Sequence, residues 1–244
     1  MASVEITIPV LNEERALPGS IATLRAFLGE HLADHTWRIT IADNGSTDAT
    51  LAVAERLAEE HPGQVGCFHL GRRGRGLALR KSWLESNCDI VAYMDVDLST
   101  GLEAFPHLVR AIAQEGYHVA TGSRLMRGAQ TRRSMKRELI SRAYNLVIKA
   151  VFQTRFTDAQ CGFKALGRRA AQILVPSVIN NHWFFDTELL IIAEKRGFRV
   201  KDIPVQWSED PDTRVKVFNT ALEDLRGLAR LRFGGLPRVT PPAA

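Results

Sequence analysis

The sequence predicts an α/β protein whose mostly parallel central sheet is flanked by helices. Two observations carry that expectation. Through the first half, short β-branched apolar runs alternate with segments of helical periodicity, the pattern of repeated strand–helix–strand units. Polar groups then fall where three of those strands end, at Asp43, at Gly71 and at the Asp95/Asp97 pair. Ligands of open parallel sheets collect at the carboxyl ends of strands.

Taken in order, residues 4–10 (VEITIPV) alternate and are β-branched, a strand. Residues 17–32 carry Leu, Ile and Phe at helical spacing. Residues 37–43 form a second strand, and NGSTDAT after it supplies a turn, a Ser/Thr N-cap and a first-turn acid. A helix follows to about Glu60. Residues 65–70 predict a third strand, 76–85 a helix, 90–94 a fourth strand, 102–115 a helix and 118–122 a fifth strand. The second half is less regular. Residues 136–152 predict a helix, GFKAL a short strand, and FFDTELLIIAEKRGF a helix with acids in its first turn, ended by Gly197. RVKDIPVQW predicts a strand interrupted at Pro204, and 220–232 a final helix. With neither repeat nor linker, one domain is expected over 1–233, with a flexible tail over 234–244.

Composition narrows the function classes. The 244 residues are 45% hydrophobic and 24% charged, ordinary for a globular chain long enough to bury a substantial core. Cys67, Cys88 and Cys161 stand far apart, which points to reduced thiols in a reducing, cytoplasmic compartment. The seven histidines show no HExxH spacing, which argues against a histidine metal site. The N-terminus lacks a signal-peptide pattern, and no run reaches the roughly 18 apolar residues of a membrane span. The net charge of +5 is local: residues 124–155 hold nine Lys or Arg against one acid, Glu138. Such a surface meets anions. Nucleic acid is not the expected partner, because no aromatic residues interleave with the basic cluster as stacking platforms.

"MDVDLST" sets two like charges one residue apart at a strand end. They can clasp Mg²⁺ or Mn²⁺, which prefer oxygen ligands and share them with substrate phosphates. The plain alternative is a strand end with Asp97 or Ser99 as a helix cap. "ADNGSTDAT" by itself is an Asx turn and cap. "GRRGRG" is glycine-rich and basic, and can bring backbone N–H groups and Arg75 near phosphates or form only a solvated turn. It is not a dinucleotide fingerprint, and no G-x-G-x-x-G follows the first strand, which argues against a nicotinamide dehydrogenase.

The ordered set "IPVLNEE", "ADNGSTDAT", "GRRGRGLALR", "MDVDLST" and "GSR" resembles the family-2 glycosyltransferases with the Rossmann-like, nucleotide-sugar-binding GT-A fold. "TDAQCGFKAL", "WFFDTELLIIAEKRGFRVKDIPVQW" and "DPDTRVK" resemble the polyprenyl- or dolichyl-phosphate sugar synthases, the glucosyl branch more than the mannosyl. The resemblance implies roles. Pro9, Asn12 and Glu14 would border the nucleoside, and Asp43 would accept from its base. Asp95 would face ribose and metal, and Asp97 would bind the metal and through it the diphosphate. Arg75 stands before Gly76 where Lys is common in the family. Ser99 takes the place of a Gln that many mannosyl relatives carry. Arg124, Arg137 and Ser141 would grip the acceptor phosphate, and Arg214 and Lys216 would close over the diphosphate. Asp158, Gln160 and Asp186 would lie near the sugar, although Asp186 can be an N-cap and Glu188 a first-turn acid.

The implied reaction is inverting transfer of a hexose, UDP-glucose favoured and GDP-mannose the alternative donor, to polyprenyl or dolichyl phosphate. A phosphate acceptor ionised at pH 7 needs little help from a general base. The 136–152 segment pairs an apolar stripe (Leu139, Ile140, Ala143, Leu146, Val147, Ala150, Val151) with basic residues. It can lie on a membrane surface, or it can be a core-facing helix with a solvated basic face. The chain would then be peripheral at the cytoplasmic face of a membrane, truncated, or dependent on a separate membrane protein partner. A non-catalytic module that binds anionic membrane is the competing class.

Overall fold

The computed structural model describes residues 1–132, 134–208 and 217–242, of which 136, 137 and 217–220 by their backbone alone. The first half follows the expected alternation: β1 (Ser3–Val10), α1 (Leu17–His31), β2 (Thr36–Asp43), α2 (Thr50–Glu60), β3 (Val65–His69), α3 (Arg75–Glu85), β4 (Ile90–Met94), α4 (Phe105–Ala113) and β5 (Val119–Ser123). The second half contains β6 (Gln130–Arg132), α5 (Met135–Phe152), β7 (Phe163–Gly167), α6 (Arg168–Leu174), α7 (Phe185–Lys195), β8 (Val200–Pro204), β9 (Gln206–Ser208) and α8 (Val217–Phe233).

Seven strands form one sheet in the order β3-β2-β1-β4-β7-β5-β8. All neighbours are parallel except β7, which runs antiparallel to both β4 and β5. That reversal matters for the site. An antiparallel strand enters the sheet at the rim where its parallel neighbours leave it. Phe163, the first residue of β7, therefore pairs with Met94, the last of β4, and residues 158–162 arrive beside Asp95. β6 and β9 pair as a separate two-stranded parallel sheet.

Alternation along the strands divides the core between the two sheet faces. On β4, Ile90, Ala92 and Met94 pack with Ile6, Ile8, Leu24 and Phe105, while Val91 and Tyr93 pack with Trp83, Phe185 and Leu189. Several local expectations change. The segment before α4 opens as a 3₁₀ turn over Leu102–Ala104. The N-terminus of α2 has no Ser or Thr cap. Asp48 serves there, accepting from the Thr50 amide at 3.0 Å. The tail, expected to be loose, is held at two points: Arg196 Nε donates to the Pro237 carbonyl at 2.7 Å and its Nη2 to that of Leu236.

The apolar stripe of α5 does not meet the core. Among the described side chains of the helix Asn145, Ile148 and Phe152 are buried, whereas Leu139 is 70% and Leu146 67% exposed, with Ile140, Val147 and Val151 also in solvent. The apolar stripe faces outward, away from the core. Leu222, Leu225 and Phe233 of α8 are exposed as well.

Candidate active site

The carboxylate pair leaves β4 through a tight turn. The Asp97 carboxylate accepts from the Ser99 amide at 3.0 Å, and Leu98 between them sits at φ 49°. A non-glycine residue in the left-handed region is held there by its surroundings, a form of strain that gathers at ligand sites. Asp97 is exposed and Asp95 is partly covered. Asp95 Oδ1 accepts from Arg75 Nη2 at 3.0 Å. Its Oδ2 lies over the backbone of Gly162, where a Cβ would stand 1.8 Å from it. Only glycine admits the carboxylate there.

Behind Asp95 lies a buried charge network. Arg75 Nη1 donates to Asp186 Oδ2 at 2.7 Å, and Nη2 also donates to the Tyr93 hydroxyl at 3.0 Å. Tyr93 in turn donates to Asp186 Oδ1 at 2.7 Å. Lys164, fully buried in β7, stands 3.4 Å from the same oxygen and donates to the Cys161 carbonyl. The Arg75 guanidinium packs 4.7 Å from the Tyr93 ring and 5.0 Å from the Trp183 ring. Burial, then the nearby Asp186 and Asp95 charges, push the Tyr93 hydroxyl well above its ordinary value against the pull of Arg75. It stays protonated and serves as a donor.

The expected site residues take definite places. The Arg75 guanidinium turns inward onto the buried Asp186 carboxylate. The exposed cations of that loop are Arg72 and Arg73. Gly76 is small for packing: a Cβ there would meet Phe185 at 2.7 Å. Asp186 is neither a sugar-facing group nor a plain N-cap. It is 1% exposed, with both oxygens committed. Arg124 is held through Nε at 2.7 Å and Nη2 at 2.9 Å in a fork on Asp158, which fixes the plane of its guanidinium. Burial raises the Asp158 carboxyl, and the Arg124 contacts outweigh it and hold that carboxyl below its ordinary value. Fully buried, Asp158 also accepts from the Arg124 and Gln160 amides, which leaves it no face toward a sugar. Gln160 donates from Nε2 to Asp224 at 2.8 Å. Glu188 is more than a first-turn acid: it accepts from the Asn180 amide at 2.9 Å and pairs with Arg230 at 2.8 Å.

At the other end of the rim, Asp43 is fully buried. Its Oδ1 takes the Ser46 amide and hydroxyl, and its Oδ2 lies 2.6 Å from His69 Nδ1. The base-accepting role therefore meets a carboxylate with both oxygens engaged, and the group it leaves at the surface is the His69 ring. Pro9 lies in β1 opposite Ala42. Asn12, at φ 58°, accepts from the Thr47 amide at 2.8 Å, and Glu14 accepts from that of Ala49 at 2.9 Å. Both lace the loop after β1 to the loop after β2. Ser141 is partly buried in α5. The Arg137 side chain, Arg214 and Lys216 lie outside the described residues.

Tyr93, Lys164, Trp183, His69, Gly162 and Asp224 were not singled out by sequence. Lys164 carried a readable signal, a lysine within an apolar strand run, since such a charge is buried only with a partner. As metal ligands, Asp95 and Asp97 supply hard oxygen donors at the rim. Among the described residues no group of three His, Cys, Asp or Glu assembles a closed cage. That donor set fits Mg²⁺ or Mn²⁺, which fills its shell with water and substrate phosphate.

Residues 5–174 match the family model described as glycosyl transferase family 2. The glycosyltransferase AglD of Haloferax volcanii is 35% identical over 90% of this chain and 35% of its own. A dolichyl-phosphate beta-glucosyltransferase of Trichomonas vaginalis is 27% identical over 86% of this chain and 65% of its own, and that of Drosophila melanogaster 27% over 92% and 73%. The chain thus spans about a third to three quarters of these relatives. In structure it resembles glucosyl-3-phosphoglycerate synthase of Mycobacterium tuberculosis, solved with UDP, at a TM-score of 0.69 and 20% identity over 97% of this chain and 82% of that one. The same enzyme with Mn²⁺, UDP-glucose and phosphoglyceric acid gives 0.68 and 18% over 97% and 81%. The sheet and its flanking helices are of the GT-A type.

Proposed function

The chain belongs to glycosyl transferase family 2, and we propose that it is an inverting, metal-dependent transferase moving a hexose from a nucleotide sugar, UDP-glucose by preference, to polyprenyl or dolichyl phosphate. The product is a β-linked lipid-phosphate sugar. One observation carries the reading: at the carboxyl rim, Asp95 is clamped by Arg75 and seated on Gly162 while Asp97 projects into solvent. Clamping one carboxylate offsets the repulsion between the pair and leaves the other on the exposed rim.

In this mechanism Asn12 and Glu14 shape the nucleoside end of the rim, and Asp95 and Asp97 hold the diphosphate end. A divalent cation bound there would offset the negative charge that grows on the leaving diphosphate. The acceptor phosphate approaches along the basic stretch that leaves β5, where Arg127 and Arg132 are exposed. Two anions must meet, and these cations lower the cost of bringing them together. The attacking phosphate oxygen carries its own charge and needs no proton removed. Attack on the sugar carbon opposite the departing diphosphate inverts its configuration.

The outward stripe of α5 supports a membrane-borne acceptor. Leu139 and Leu146 lie exposed on a helix that also carries Arg142 and Lys149, and an apolar row with basic flanks suits an anionic lipid surface. Among the described residues no helix is long and apolar enough to cross a membrane. We place this face against the cytoplasmic leaflet.

The test is a transfer assay with polyprenyl phosphate, Mn²⁺ or Mg²⁺, and labelled UDP-glucose, UDP-galactose or GDP-mannose. Label entering the organic phase from UDP-glucose, and blocked by EDTA, is the expected result. Transfer from GDP-mannose alone would reassign the donor. Donor binding with no lipid labelled, even on membranes supplying a partner protein, would remove the acceptor. No donor binding at all would leave a membrane-binding module.

A further inference from the structure

We infer that Asp224 is a positioning residue for Gln160: as a carboxylate it fixes which edge of the Gln160 amide turns toward the reaction centre. The identity of that centre rests on the function proposed above, whereas the coupling between the two side chains stands on geometry alone.

Gln160 sits in the segment that antiparallel β7 delivers to the rim. Its backbone amide donates to Asp158 Oδ1 at 3.2 Å, which ties it to the Arg124 fork. Its side chain does something different, donating through Nε2 to Asp224 Oδ2 at 2.8 Å. Asp224 comes from α8, 64 residues further along the chain, and is only 4% exposed. Among the described residues no Lys or Arg pairs with it, and its Oδ1 has no hydrogen-bond partner. A buried carboxylate with neither a cation nor a second full set of donors is costly to keep ionised.

The groups around it are few. Glu223 faces it from its own helix, the Tyr144 hydroxyl from α5 and the Gln160 amide from the rim. Tyr144 in turn donates to Thr187 of α7 at 3.1 Å. Burial first, and Glu223 with it, raise the Asp224 carboxyl to about 7, against the hydrogen bond from Gln160. Asp224 therefore changes state near neutral pH.

The change of state has a defined chemical consequence. A carboxylate only accepts hydrogen bonds. While Asp224 is ionised, Gln160 must offer it Nε2, and Oε1 is left to accept from another donor; in the proposed reaction that donor is a sugar hydroxyl. Once Asp224 takes a proton it becomes a donor. The amide can then rotate to offer Oε1 to Asp224, turning its NH₂ toward the site. An acceptor facing the substrate becomes a donor, with one proton taken from solvent and no other bond changed.

Nuclear magnetic resonance of ¹⁵N-labelled protein reads this directly. The Gln160 side-chain NH₂ signals are identified by their loss in Gln160→Ala and followed from about pH 5.5 to about 8.5. The expected result is a shift with a midpoint near 7 in the unmodified chain, absent in Asp224→Asn. A Gln160 amide that does not titrate in the unmodified chain overturns the inference, whether or not the Asn variant folds. So does the same titration in a folded Asp224→Asn. In the transfer assay, kcat should fall about tenfold per pH unit below the midpoint and that limb should vanish in Asp224→Asn, with the donor KM unchanged. An identical acidic limb in both proteins would overturn the catalytic consequence. A titrating amide in a chain that transfers no sugar at any pH would sustain the coupling and count against the proposed reaction.

Discussion

Replacing Asp186 by Asn tests whether this side chain serves substrate or scaffold. Asp186 is buried and receives Arg75 at 2.7 Å and Tyr93 at 2.7 Å, with buried Lys164 at 3.4 Å. The substitution keeps the shape and removes the charge. Arg75 and Lys164 then lose the buried carboxylate they share, and the new NH₂ group faces one of the existing donors. Breaking one side of a buried pair costs about 3–5 kcal/mol, and in a chain of this size each kcal/mol lowers the melting temperature by about 2–4 °C. Thermal unfolding followed by circular dichroism should therefore show a fall of roughly 6–20 °C. Adding Lys164→Met should restore part of the loss, because it removes one of the stranded cations. A melting temperature within about 2 °C of the unmodified chain, combined with a raised donor KM, would refute the reasoning and return Asp186 to the sugar.

Further outcomes follow from other parts of the structure. Asp97→Asn should leave the melting temperature unchanged, since the side chain is exposed, while transfer drops by about 10²-fold or more. Full activity in that variant would remove the metal role. Gly162→Ala places a methyl group 1.8 Å from Asp95 Oδ2, so transfer should be lost in a chain that still folds, and unmodified kinetics would show that Asp95 is free to move. Leu139→Glu with Leu146→Glu should leave stability unchanged and abolish flotation with anionic vesicles. Each leucine buried in lipid contributes about 1.5–3 kcal/mol, about tenfold or more in partitioning, so undiminished flotation would discard this face. Asp224 predicts a stability trend. In the folded chain its carboxyl holds a proton up to about 7, while the unfolded chain releases it near 3.8. Stability should therefore fall as pH rises between those values, by up to about 4 kcal/mol. Asp224→Asn should flatten that slope in urea titrations, and an unchanged slope would locate the effect elsewhere.

How much of this was legible beforehand depends on the range of the interaction. Strands and helices of the first half follow local periodicity, and periodicity is written in neighbouring residues. β4 is apolar throughout because a central strand is covered on both faces, and its end is marked by the aspartates that follow. The resemblance to family-2 glycosyltransferases was carried by the same short ordered segments. β6 was too short and too exposed to show any alternation, and α6 has only seven residues.

Site residues were named more readily than their tasks. Arg75, Asp95 and Asp186 all belong to one constellation, but sequence pointed Arg75 and Asp186 outward at ligands. Their inward turn depends on contacts between α3, β4, β7 and α7, up to 111 residues apart along the chain. Buried charge must find a partner, and the partner is set by packing rather than by spacing. The same holds for Arg124 with Asp158 and for Gln160 with Asp224. α5 shows the converse. Sequence determined that it has an apolar stripe beside basic residues. Only the tertiary structure decided which side meets the core, because Asn145, Ile148 and Phe152 fit against the neighbouring helices and leave the stripe of Leu139 and Leu146 to the solvent.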